Sequence, residues 1–130
     1  MQKNGGFMKE KMKKLLEKIG HPFQMFNEDG TYQGCFYPIQ VLYPEIPRYK
    51  LVSEDVEKNY NYGMAKIREY CDEVSPNDLK MGDIITAKYN KALHVAVYYE
   101  FGKMIHVFKE HSLQIGRLKL FSEFQSYRVR

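Results

Sequence analysis

The sequence predicts an α+β domain in which N-terminal helices pack on a central antiparallel sheet of about five strands. Apolar residues recur at helical spacing up to Val74, and from Asp83 onward the period shortens to the alternation typical of strands, with turn residues between them. The length of 130 residues, without repeats or linkers, fits a single domain over residues 1–130 that can build its own hydrophobic core.

The first helix is expected from Phe7 to Ile19, because Phe7, Met8, Met12, Leu15, Leu16 and Ile19 share one face and Gly20 can close it in a left-handed cap. His21-Pro22-Phe23 and Asn27-Glu28-Asp29-Gly30 make residues 21–34 a loop. Pro38 is tolerated only in a first helical turn, so the apolar run Ile39 to Tyr43 puts Cys35 at or just before a helix N-terminus. A third helix starts near Ser53, carries Val56, Tyr60, Met64, Ile67, Cys71 and Val74 on its apolar stripe, and stops before Ser75-Pro76. Cys71 reads there as a buried small hydrophobe. Strands are expected at Ile84–Ala87, Leu93–Tyr99, Lys103–Phe108, Ser112–Ile115 and Tyr127–Val129.

Two cysteines without a CxxC spacing favour neither a disulfide scaffold nor a structural zinc site, and no metal or cofactor is expected. No apolar stretch reaches the length of a membrane span or a signal peptide, so synthesis in the cytosol is expected. The net charge of +4 is concentrated between Lys3 and Lys18, where six lysines face Glu10 and Glu17. Such a cluster suits a solvated helix face; nucleic acid or another anionic polymer is the alternative partner, and nucleic-acid binding is not expected.

The chemistry lies in Cys35, His94 and His106. A thiolate is the reactive form of cysteine; an imidazole that takes its proton, itself held by a second polar group, makes an activated nucleophile. A helix N-terminus at Cys35 would favour the thiolate and supply N–H groups for an oxyanion. His94 and His106 flank a predicted hairpin. A two-residue loop at Phe101-Gly102 would put them on opposite faces, whereas a three-residue loop, Glu100-Phe101-Gly102, opposes Ala96 with His106 and puts both histidines on one face, about 7 to 8 Å apart along the diagonal. Gly102 suits the left-handed position of the longer loop. His21 and His111 read as ordinary surface residues.

Leu79 to Ile85 with its Gly82-Asp83 pair, His94-Val95-Ala96-Val97-Tyr98, and Gly102 to Val107 together resemble the C-terminal half of the NlpC-type cell-wall cysteine peptidases. Gly20-His21-Pro22-Phe23 and Gly34-Cys35 resemble that family's loop into its nucleophile helix. The resemblance implies a papain-like fold, with Cys35 as nucleophile, His94 as general base and His106 as the group orienting His94. It implies a peptidoglycan stem peptide as substrate, cleaved through an acyl-enzyme. The substrate-binding candidates are Phe23, Gly34 and Phe36, at positions where the family carries tyrosine, aspartate and serine. The short form, with an amphipathic helix before the nucleophile and Ile46-Pro47 after its helix, is similar to versions encoded by tailed phages and prophages. It implies a tail-associated hydrolase that meets the wall in a virion or after lysis, with other tail proteins as partners. The competing expectation is a degenerate assembly or wall-binding module.

Overall fold

The computed structural model describes residues 3–20, 26–31, 33–107 and 112–130, with residues 3–6 as backbone only. Helix α1, Lys3–Leu16, buries Met12 and Leu15 on one face. Its end tightens, the Lys18 N–H donating to Leu15 and the Ile19 N–H to Leu16, so the regular helix stops before the expected Ile19. Gly20 turns the chain at φ +83°, and its N–H donates to the Leu113 carbonyl at 2.9 Å.

Helix α2 is short, Tyr37–Leu42, with Pro38 in its first turn as the sequence requires. Helix α3, Val56–Tyr70, starts at Asp55, whose carboxylate accepts the N–H groups of Glu57 and Lys58 at 2.9 and 3.4 Å. The expected continuation of this helix to Val74 is overturned: Cys71 takes extended angles, and Cys71–Val74 form strand β1. The cause is long-range. Strand β1 pairs with the C-terminal strand from Cys71↔Val129 to Val74↔Ser126, and the Arg130 guanidinium donates to the carbonyls of Arg68, Glu69 and Cys71 that a longer helix would have used.

Five further strands follow: β2 Ile84–Tyr89, β3 Ala92–Tyr98, β4 Lys103–Val107, β5 Leu113–Arg117 and β6 Gln125–Val129. The sheet therefore has six strands rather than about five, ordered β1-β6-β2-β3-β4-β5, with every pair antiparallel. Alternation assigns its two faces. Ile84, Val95, Val97, Ile105, Val107, Leu113 and Tyr127 join the residues of the three helices in one core. Ile85, Ala96 and Met104 point the other way and are covered by Leu79, Tyr98, Leu118, Phe121 and Phe124.

The Gly82-Asp83 pair locks this sheet at the start of β2. Gly82 has φ +94°, and a side chain there would meet Met8 and the Tyr43 hydroxyl, which donates to the Gly82 carbonyl at 2.6 Å. The Asp83 carboxylate is 2% exposed and accepts the Lys80 N–H at 2.8 Å together with a two-pronged pair from Arg128 at 2.9 and 2.8 Å. Asp83→Ala leaves a backbone N–H and the guanidinium short of their acceptor, and is expected to cost about 3 kcal/mol in urea unfolding. A loss below about 1 kcal/mol would refute the clamp.

Candidate active site

Cys35 sits in a 3-10 turn, Gly34–Phe36, that runs directly into α2. The Phe36 N–H closes on the Gln33 carbonyl at 2.8 Å, and Gly34 enters at φ +40°. The turn is pinned from below by Phe36, which is 7% exposed and lies flat on Tyr49 with ring centroids 4.5 Å apart. Tyr49 is held in turn, its hydroxyl donating to the Asn59 carbonyl at 2.7 Å. A Cβ on Gly63 of α3 would press on the Leu93 side chain and on Tyr49, so that glycine lets the helix close against β3.

Between β3 and β4 the paired residues are Val97↔Ile105 and Tyr98↔Met104, and pairing does not continue toward His94. The Cys35 turn packs against both strands. The Cys35 thiol contacts the Leu93 carbonyl at 3.8 Å, and the Val95 N–H is directed at the sulfur. The thiol thus meets the main chain on either side of His94.

The hairpin turn itself holds two residues, Phe101 and Gly102, both left-handed at φ +49° and +74° and closed by the Lys103 N–H on the Glu100 carbonyl at 2.9 Å. Glu100 is bulged, because the Tyr99 N–H also donates to the Lys103 carbonyl at 2.9 Å, and this extra residue restores the register expected of the three-residue loop. The Val97↔Ile105 register gives His94 and His106 the same parity and puts both on the sheet face away from the helices. Their rings meet edge to face at 6.2 Å. His94 also meets Phe121 edge to face at 5.3 Å. Its Nε2 is buried without a hydrogen-bond partner among the described residues, none of which links Cys35 to His94 by a hydrogen bond. His106 is 2% exposed, and its Nε2 rests over Gly116 of β5, where a Cβ would collide with it.

Phe121 and Gly116 escape the sequence reading. The expected strand stopped at Ile115 and excluded Gly116; a glycine recognised inside that strand would have signalled a close approach. Phe121 follows a 3-10 turn at Leu118–Leu120 and carries no local signal. Gly34 is buried beside Cys35, and the Phe36 ring points into the helix-side core. Phe23, His21 and His111 lie outside the described residues.

Burial governs the ionisation of the site. It pushes the Cys35 thiol up to about 11, the opposite direction from the thiolate that a helix terminus is expected to favour. Burial lowers the His94 pKa; burial and then the neighbouring His94 lower that of His106 to about 4. At rest the thiol, on the helix side of the sheet, and the two imidazoles, on the other face, are therefore all neutral. No group of three or more His, Cys, Asp or Glu side chains among the described residues could hold a metal ion.

Residues 32–127 match the model of the NlpC/P60 family. Among solved structures, the chain is similar to a lipoprotein-like NLP/P60 protein from Staphylococcus aureus, with 21% identity and a TM-score of 0.60, over 95% of this chain and 41% of that one. It is similar to the NlpC/p60 domain of the peptidoglycan hydrolase SagA, with 17% identity and a TM-score of 0.60, over 91% of this chain and 96% of that domain. It is also similar to RipD of Mycobacterium tuberculosis, described as a non-catalytic NlpC/p60 domain protein adapted to peptidoglycan binding, with 16% identity and a TM-score of 0.59, over 95% and 96% of the two chains. No curated protein matches the chain.

Two outcomes follow from the electrostatics. Alkylation of Cys35, followed by peptide mass mapping, should quicken about tenfold per pH unit from pH 8 to 10; a plateau below pH 8 would contradict the buried neutral thiol. His106 takes up its proton near pH 6.5 when unfolded but only near pH 4 when folded. Its contribution is thus complete above pH 6.5 and declines as the pH falls toward 4, a loss of up to about 3 kcal/mol. His106→Gln should flatten this acid slope in urea titrations, and an unchanged slope would rule out His106 as its source.

Proposed function

The chain belongs to the NlpC/P60 family, and from that premise we propose that it is a cysteine endopeptidase that cleaves an amide bond in peptidoglycan stem peptides. The observation that carries the reading is the seating of the Cys35 turn against β3 on both sides of His94, with His106 on the same sheet face as His94. In this reading the Cys35 proton passes to His94 as the sulfur attacks the scissile carbonyl, which requires the thiol, packed with the helix-side core, and the His94 ring, packed on Phe121, to meet around the bound peptide. The oxyanion is met by the N–H of Cys35, since those of Phe36 and Tyr37 are spent on Gln33 and Gly34. Collapse expels the amine, which takes the proton from His94, and leaves an acyl-enzyme that water opens with His94 as base. His106 holds the ring of His94 in place, and Phe121 limits the tilt of that ring from the other side.

A second reading is a wall-binding module without turnover. It is favoured by the thiol resting on the Leu93 carbonyl rather than on an imidazole, with its pKa near 11. The likeness to short phage-borne forms motivates a finer part of the proposal, cytosolic synthesis and delivery to the wall in a virion tail or at lysis, with other tail proteins as partners. Mass spectrometry of purified virions tests the tail role, which their lacking the chain would remove.

Digestion of purified muropeptides, with products read by mass spectrometry, separates the two main readings. Hydrolysis should yield one new amine and one new carboxylate, falling about 10³-fold or more in Cys35→Ala and in His94→Ala. Sedimentation with wall fragments but no cleavage between pH 5 and 9 would sink the peptidase and favour the binding module.

A further inference from the structure

Behind the Cys35 turn, on the helix side of the sheet, a cavity of about 650 Å³ including its open mouth lies between α2, α3 and the residues from Ile46 to Tyr49. The histidines occupy the opposite face, so the hydrolytic mechanism makes no use of this space. Its floor is Cys71 and Ile84, 3% and 1% exposed, and Ile39, Ile46 and Ile67 form its sides. The stacked pair of Phe36 and Tyr49 closes one end with a rigid aromatic wall. Two cations, Arg48 and Lys66, also line the cavity and are 51% and 41% exposed, so they stand at its mouth.

We propose that this cavity binds a small amphipathic carboxylate, with an apolar chain or single ring against the isoleucines and its carboxylate held between Arg48 and Lys66. Both cations already meet carboxylates, but loosely: Arg48 lies 3.6 Å from Asp29 and Lys66 lies 3.5 Å from Glu69, in pairs open to solvent. Exposed pairs of this kind contribute little, so a ligand carboxylate displaces them at small cost. The ligand gains what Asp29 and Glu69 lack, an apolar body that leaves water for the isoleucine-lined interior. The Arg48 fork suits a carboxylate in two-pronged contact, and the flexible Lys66 supplies a second point charge. A neutral apolar ligand would fill the same walls and leave both cations unused, which commits the site to the anion.

Calorimetric titration of the full chain at low ionic strength with octanoate, and with octanamide as its uncharged counterpart, tests the site. Octanoate should bind one to one, and octanamide about tenfold more weakly. The exposed double substitution Arg48→Gln with Lys66→Gln should weaken octanoate about tenfold and leave octanamide unchanged. Ile67→Trp, which fills the interior, should abolish binding of both. Equal affinity for the two probes, octanoate binding indifferent to the double substitution, or no binding of octanoate would each overturn the proposal.

Discussion

The register of the β3–β4 hairpin is the constraint on which the candidate site depends. Side chains alternate faces along a strand, so a slip of one residue in the pairing of Val97 with Ile105 would carry His106 to the helix side and replace it with an apolar neighbour. The left-handed Phe101-Gly102 turn, closed by the Lys103 N–H on the Glu100 carbonyl, and the bulge that lets the Tyr99 N–H reach the Lys103 carbonyl together prevent the slip. The buried Ala96 lies on the same sheet face as the two histidines. Beyond this short ladder the paired residues run out, and the turn carrying Cys35 packs against both strands there.

Packing on the two sides of the sheet then divides the labour. On the helix side, Gly63, Tyr49 and Phe36 form a continuous stack that fixes the Cys35 turn. On the other side, Phe121 and the bare backbone of Gly116 fit closely around the histidine rings. A site assembled from facing layers is rigid but dry, and its ionisation follows from that. Desolvation disfavours every charged form, which leaves Cys35 protonated and both histidines neutral.

Stability is provided away from the chemistry. Asp83 gathers Arg128 and the Lys80 amide at the opening of β2, while Arg130 caps the end of α3 and reaches Asp72 on β1. These clamps join the C-terminal strand to elements some fifty to sixty residues earlier in the chain, and close the sheet at the edge remote from the histidines.

Much of this protein was readable from residue order alone. Period and turn chemistry identified the helix-then-sheet layout, Pro38 fixed where α2 begins, and parity arithmetic on Gly102 chose the histidine register, because each is a local property of the backbone. The sequence could not reveal that Cys71 to Val74 leave helical geometry, since their spacing fits either state and only pairing with β6, together with Arg130 on the helix-end carbonyls, decides between them. Nor could it reveal the raised pKa of the thiol, which follows from desolvation of the half-buried Cys35 against the Leu93 carbonyl. The partners of His94 and His106 at Phe121 and Gly116 were likewise decided in three dimensions, because burial and contact belong to the folded chain and not to the order of its residues.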